Sequence, residues 1–194
     1  MHAESPGLDL PPFSLDVQAM ELGADTKAVG LELIETESRE PFRGSEAAGM
    51  WAAALAALPV QEPYVLDFFS HLERVRDFCR AHQIEYREAA ARCIVIPQPS
   101  PELFRQLLVR FESETFGFRS GPAAQNADPA LEKELSHRGL DAYQTAYPRY
   151  TFCAICELSD GWVTLLSESL WPSEIIRRVR PALQPFDVYI ARPQ

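Results

Sequence analysis

The Asp160-Gly161 pair, which lies between two runs of β-forming residues, constrains the fold of this chain more than any other feature. An Asp-Gly pair in that setting supplies the backbone angles of a tight hairpin turn, so we predict an antiparallel strand pair over 150–170. A Pro-started amphipathic helix over 172–183 and an apolar strand over 186–191 follow. The sequence thus predicts a strand-strand-helix-strand (β-β-α-β) unit here.

Hydrophobic periodicity and turn residues place the other predicted elements. The strongest helix start is Ser100-Pro101, a capping hydroxyl followed by proline at the first helical position. Segment 114–127 contains Gly, Pro and Asn, so we predict a long loop held by its aromatic residues, whereas 85–91 fits a strand or a helix. The predicted strands cover 14–22, 27–36 and 92–97, and the predicted helices cover 46–58 (capped by Ser45), 63–82, 101–111 and 128–138.

This element order predicts an α+β fold with a mixed, mostly antiparallel sheet and helices packed mainly on one face. The length of 194 residues fits one domain. We expect residues 1–12, which mix Pro, Gly and charge, to form a flexible lead-in and residues 13–194 to form a single α+β domain. The sequence leaves open whether 13–60 joins the main sheet or forms a separate N-terminal unit of a hairpin and a helix.

The charge of the chain is strongly acidic and unevenly distributed. The net charge is −10, and residues 1–60 carry ten acidic and three basic side chains, a net of −7. This balance argues against general binding to nucleic acid or to anionic membranes. No apolar run is long enough to span a membrane and residues 1–30 show no signal-peptide pattern, so we expect a soluble, cytoplasmic protein. The strong preference for Arg over Lys is typical of a GC-rich, bacterial genome.

The four cysteines of the chain include a C-x-x-C pair, Cys153 and Cys156. The pair lies inside a predicted strand, where residues three apart point to opposite faces. No second C-x-x-C or H-x-x-x-H pair exists to complete a zinc site. We therefore interpret these cysteines as structural, with a redox role left open, and we expect no bound metal and no cofactor.

The chain carries none of the common catalytic or phosphate-binding motifs, such as a nucleophile elbow, a Walker-type loop or H-E-x-x-H. The favoured interpretation is therefore a non-catalytic binding or adaptor domain that engages a protein partner. The alternative is an enzyme or small-molecule binder with a site around the aromatic segment 114–147, because many active sites have no local signature. The candidate binding residues of this segment are Phe116, Phe118, Arg119, His137 and Tyr143.

A second candidate surface is the basic run that contains Arg177 and Arg178 on the predicted helix 172–183. Both arginines fall on the side of the helix away from its apolar residues. They form either an ordinary solvent-exposed face or a contact for an anion or an acidic partner. Self-association through the C-terminal hairpin is a further alternative for the partner.

Overall fold

The computed structural model describes residues 10–21, 27–58, 64–68, 72–90, 93–96, 100–111, 115–120, 130, 133–134, 142, 152–167 and 170–191. Within these residues it has nine strands and four α-helices of at least ten residues. The strands are β1 Phe13–Glu21, β2 Lys27–Glu35, β3 Tyr64–Phe68, β4 Arg87–Ala90, β5 Cys93–Ile96, β6 Thr115–Ser120, β7 Phe152–Glu157, β8 Trp162–Leu166 and β9 Val188–Ile190. The helices are α1 Ser45–Ala56, α2 Leu72–Ala81, α3 Pro101–Arg110 and α4 Pro172–Leu183.

The strands form one mixed, mostly antiparallel sheet in the order β4-β5-β3-β6-β7-β8-β2-β1-β9. Every neighbouring pair is antiparallel except β1 and β9, which are parallel. The N-terminal hairpin β1–β2 belongs to this sheet, because β2 pairs with β8 and β1 pairs with β9. The predicted α+β class and the predicted mixed sheet are confirmed.

One face of the sheet and the four helices share a single hydrophobic core. Alternate residues of each strand point to that face, as the pleat requires; in β2 they are Val29, Leu31 and Leu33. The helices contribute, among others, Trp51, Met50, Val75, Leu108 and Ile175. The prediction that the helices pack mainly on one face is therefore confirmed.

The β7–β8 hairpin forms as predicted, with a short 3-10 turn Leu158–Asp160 ahead of Gly161. Gly161 has φ 68°, a left-handed conformation that favours glycine. Its position also lacks space for a side chain, because a Cβ there would lie 2.9 Å from the carbonyl oxygen of Leu33. The Leu33 N–H donates to the Gly161 carbonyl at 2.9 Å, so the turn is fixed against β2.

The predicted helix 63–82 is wrong over its first part, because the structure has strand β3 there and the helix starts only at Leu72. Tyr64, Leu66 and Phe68 alternate along the chain, and this short apolar run fits period 2 as well as period 3.6. The pairing of β3 with β5 on one side and β6 on the other decides in favour of the strand.

The predicted loop 114–127 is wrong at its start, where Thr115–Ser120 forms β6 between β3 and β7. Gly117 indicated a loop in the sequence, yet it lies inside a central strand, where glycine weakens intrinsic strand preference without preventing pairing. The predicted cap of α1 is also wrong. Ser45 is the first helical residue, and the N-cap is Gly44.

Two further predictions are confirmed in their local detail. The Ser100 hydroxyl caps α3 by accepting a hydrogen bond from the Leu103 N–H at 3.1 Å, with Pro101 at the helix start. Helix α4 has the predicted bounds. The strand predicted over 186–191 is shorter, because a 3-10 turn Gln184–Phe186 follows α4 and β9 covers only Val188–Ile190. Of the predicted helix 128–138, residues 130, 133 and 134 are helical, and the rest lie outside the described residues.

Candidate functional site

The structure places the aromatic candidates of β6 in the core rather than at a pocket rim. Phe116 and Phe118 are fully buried. The Phe118 ring lies 5.7 Å from that of Phe104 and 5.4 Å from that of Phe152, measured between ring centroids. Packing between helix α3 and the sheet therefore accounts for the position of Phe118, and the binding role of both phenylalanines stays a prediction.

Arg119 follows Phe118 in β6, so its side chain is on the opposite face of the sheet from the two phenylalanines. It pairs in register with Val65 of β3 and Cys153 of β7 and is completely buried. The structure therefore does not bring Phe116, Phe118 and Arg119 onto one surface. The other two candidates of this segment, His137 and Tyr143, lie outside the described residues.

The basic candidates of α4 are bound to a carboxylate of their own helix. Arg177 donates two hydrogen bonds to Glu174 at 2.8 Å, and Arg178 Nε donates a third at 2.6 Å. The hydrogen bonds from Arg177 are the largest cause, and the bond from Arg178 the second, that lower the pKa of Glu174 to about 2. Two guanidinium groups thus share one carboxylate, and these three side chains together retain one net positive charge.

The three cysteines whose side chains the structure describes, Cys79, Cys153 and Cys156, are buried and not in disulfides. Cys156 points to the helix-covered face of the sheet, and Cys153 lies three residues earlier in the same strand, on the opposite face. Burial raises the pKa of the Cys156 thiol, and burial raises the pKa of Cys79 to about 11. A thiol held neutral is a poor nucleophile, which agrees with the structural interpretation of Cys156 and Cys79. No metal-binding group of His, Cys, Asp or Glu occurs among the described residues.

A groove of about 700 Å³ lies between α2 and α3. Both walls follow helical spacing, since each lining residue has another lining residue of the same wall three or four positions away. On α2 and its C-terminal end they are Arg74, Asp77, Phe78, Ala81 and His82, and on α3 they are Arg105, Gln106, Val109 and Arg110.

Aromatic rings support this groove. Phe78 meets Phe111, the residue after α3, edge to face with the ring centroids 5.9 Å apart. Phe111 is fully buried and belongs to the hydrophobic core. His82 lies with its ring centroid 4.4 Å from that of Phe78. The groove therefore has an apolar base that is continuous with the core.

The sides of the groove are basic. The Arg74 guanidinium lies 5.8 Å from the centre of the Phe111 ring, within the range of a cation–π contact. Arg105 donates two hydrogen bonds to Glu102, at 2.9 and 2.8 Å, and these are the main cause that lowers the pKa of Glu102 to about 2. Arg110 has no hydrogen bond or ion pair with any residue that the structure describes. Three arginines against Asp77 give the lining residues a formal charge of +2 in a chain of −10, and the charge of one of them, Arg105, is balanced by Glu102 outside the lining.

Comparisons with known proteins yield no relative: no protein-family model matches the chain, and no curated protein or solved structure is significantly similar to it. The geometry of the site is therefore the basis for any functional inference. In the part of the chain that the structure covers, no helix is long and apolar enough to cross a membrane.

The sequence alone did not identify this groove. Its residues come from two helices separated by two strands, and no local pattern shows that the two helices lie side by side. One signal was available, because basic residues lie beside the apolar stripes of the two helices. They are Arg74 on α2, His82 directly after it, and Arg105 and Arg110 on α3. Basic residues flanking two apolar stripes in an acidic chain would have marked the helices for inspection.

Proposed function

We propose that this protein is a non-catalytic binding domain that engages an acidic segment of a protein partner in the α2–α3 groove. The observation that carries the proposal is the combination of a basic rim with an aromatic base in a chain of opposite overall charge. Arginine and aromatic residues dominate the binding energy of protein interfaces. The arginine fork also matches the geometry of a carboxylate.

The residues of the groove have distinct roles in this proposal. Arg110, which has no hydrogen bond or ion pair with a described residue, binds a partner carboxylate. Phe78 and Val109 receive an apolar side chain of the same segment. A partner segment that carries both acidic and apolar residues binds the basic rim and covers the aromatic base. A purely polar segment would leave the aromatic base exposed to water.

The proposal also covers the class of partner, the source of the protein and its cellular location. The acidity of the remaining surface disfavours nucleic acid as the partner, because phosphate binding depends on excess positive charge. The use of Arg in place of Lys supports a bacterial source, and we place the protein in the cytoplasm.

The test is the binding of a short fluorescent peptide of Glu, Leu and Phe, with a peptide in which Gln replaces Glu as its neutral counterpart. We expect the Glu peptide to bind and Arg110→Glu to weaken it by about tenfold or more, because a charge-assisted bond is replaced by repulsion. Arg180→Glu is the matched control, since Arg180 also lies in the last turn of a helix and is exposed.

The proposal requires unchanged peptide affinity in the Arg180→Glu variant. Equal affinity for the Glu and Gln peptides would show that the basic rim does not select the ligand. An equal loss in both variants would show only a general effect of net charge, and would also contradict the proposal.

A further inference from the structure

The outer edge of β1 is open over most of its length. This strand is nine residues long, and its outer neighbour β9 pairs only with its first three residues, 13–15. One further bond, from the Ala191 N–H to the Leu15 carbonyl at 3.1 Å, ends the pairing. No described residue pairs with 16–21 of β1 on that side. The sheet therefore ends here in an unpaired strand edge, on a surface that the α2–α3 groove does not include.

The backbone groups that point outward from this edge follow from the bond of Leu15. Both polar groups of one strand residue point to the same side, and the side alternates along the strand. Because the Leu15 carbonyl points toward β9, the N–H and C=O groups of Val17, Ala19 and Glu21 also point outward. Ala19 and Glu21 are exposed. These groups form a template for pairing with another extended segment.

A cavity of about 370 Å³ lies directly at this edge. Leu15, Val17 and Leu31 point into the core, so the residues that alternate with them, Asp16 and Glu32, point to the sheet face away from the helices. The lining residues are Asp16, Val17, Gln18, Ala19, Glu32, Arg39 and Ala191. The cavity therefore has room for a side chain of a segment that pairs with β1.

The charges at the cavity indicate what kind of side chain fits. Asp16 and Glu32 are direct partners in the register of β1 and β2, and like charges directly opposite each other destabilise a sheet. Arg39 offsets this only in part, because its guanidinium lies 3.8 Å from the Asp16 carboxylate and its side chain is 65% exposed. Glu32 has no ion pair or hydrogen bond with a described residue. A positive charge supplied by a partner would balance this pair, so the edge favours a basic ligand.

From these observations we infer that the open edge of β1 binds an extended, basic segment of a protein partner by strand addition. The backbone of the segment exchanges hydrogen bonds with Val17, Ala19 and Glu21. Its alternate Arg or Lys side chains lie on the face of Asp16 and Glu32, and one of them enters the cavity to bind the Glu32 carboxylate. Backbone pairing supplies affinity, and the acidic pair supplies selectivity. This surface is separate from the groove proposed to bind an acidic segment.

The experiment is a titration of the ¹⁵N-labelled full chain with a short peptide of alternating Arg and Val, followed by NMR. We expect saturable binding, with the largest amide shifts at Val17, Ala19 and Glu21. The same peptide with Glu in place of Arg binds this edge at least about tenfold more weakly, because its side chains meet the carboxylates of Asp16 and Glu32.

Two N-methylated versions of the Arg and Val peptide test the backbone pairing. One is methylated on the Val nitrogens and the other on the Arg nitrogens. In a paired strand only one of these two sets of N–H groups faces β1. We expect one version to lose affinity by about tenfold or more and the other to keep it. The version that loses affinity shows whether the segment runs antiparallel or parallel to β1.

Substitutions in β1 and β2 test the same contacts from the side of the protein. Ala19→Pro removes an outward N–H that β2 does not use, so it abolishes binding while the β1–β2 pair is retained. Ala19→Val, which keeps the N–H, is its control and leaves binding unchanged. Glu32→Gln weakens binding of the Arg and Val peptide about tenfold, whereas Glu46→Gln, at an exposed acid of α1, does not affect it.

The wild-type titrations decide the matter even where Ala19→Pro does not fold. Absence of saturable binding, equal affinity of this edge for the Arg and Glu peptides, equal effects of the two methylations, or shifts outside β1 would each overturn the inference. Sedimentation of the unliganded chain tests for a second copy at this edge. A dimer that Ala19→Pro converts into a monomer would show that a second copy pairs with β1, and would overturn the inference as well.

Discussion

Two regions of this molecule carry arginines on helices, and they differ in how those arginines are paired with carboxylates. On α4, Arg177 and Arg178 are both bound to Glu174, so most of their charge is satisfied within the helix. In the α2–α3 groove, Arg105 is likewise bound to Glu102, but Arg110 has no hydrogen bond or ion pair with a described residue. The number of basic residues is therefore a poor guide to a binding surface. The presence or absence of a local carboxylate decides whether an arginine is available.

The largest predicted effect is a loss of stability when a residue at the base of the groove is substituted. Phe111 is fully buried and contacts Phe78 and the Arg74 guanidinium, whereas two arginines of α4 are held by the carboxylate of Glu174. Phe111→Ala should lower the free energy of unfolding by about 3–5 kcal/mol, through lost burial and the cavity left behind. Urea denaturation measures this loss, with Phe111→Leu as the conservative variant.

A loss below about 1 kcal/mol for Phe111→Ala would mean that the groove collapses easily onto the space left by the ring. The aromatic base would then not be a fixed part of the site. Phe111→Leu, which keeps an apolar side chain of similar reach, should retain most of the stability.

The second effect concerns the dependence of groove binding on salt. Binding of the Glu, Leu and Phe peptide relies on exposed arginines, whose interactions salt screens over about 8 Å at physiological ionic strength. We expect affinity to fall by about tenfold between low salt and about 0.5 M salt. Fluorescence polarisation at several salt concentrations measures it, and an affinity that does not change would indicate that apolar contacts alone hold the peptide.

The smallest effect is expected on α4 and concerns pH. The pKa of Glu174 is lowered from 4.5 to about 2 by hydrogen bonds from Arg177 and Arg178. Because its folded-state pKa is below its unfolded value, the carboxylate stabilises the fold fully above pH 4.5, and this contribution is lost as pH falls toward 2. The difference in unfolding free energy between wild type and Glu174→Gln should therefore be small at neutral pH and vanish near pH 2.

Glu174→Gln also tests whether Glu174 prevents the arginines of α4 from binding an acidic peptide. The substitution releases Arg177 and Arg178, so α4 should gain weak binding of the Glu peptide, visible as NMR shifts confined to that helix. Wild-type α4 should show none. Binding at α4 of equal strength in wild type and variant would show that the ion pairs with Glu174 do not limit access to these arginines.

Sequence reasoning succeeded where the determining interactions are local. The Asp160-Gly161 turn, the Ser100-Pro101 helix start and the bounds of α4 depend on residues within a few positions of one another. The α+β class follows from the order of such elements. These predictions needed no knowledge of which segments meet in space.

The predictions that failed depend on pairing between distant segments. The run Tyr64–Phe68 fits a strand and a helix equally until β5 and β6 are placed beside it. Gly117 indicated a loop until β3 and β7 enclosed it. The α2–α3 groove has the same origin, because two helices distant in sequence must be placed side by side before Arg74 and Arg110 share one surface.

The central claim, that the basic groove recognises an acidic segment, is tested most directly by exchanging the charges on both sides. The peptide of Glu, Leu and Phe and its counterpart with Lys in place of Glu are each measured against wild type and Arg110→Glu. We predict that wild type prefers the Glu peptide and that the variant loses this preference and gains affinity for the Lys peptide, with a coupling of about 1–3 kcal/mol. A change of similar size for both peptides, or no coupling between residue 110 and the peptide charge, would contradict the account.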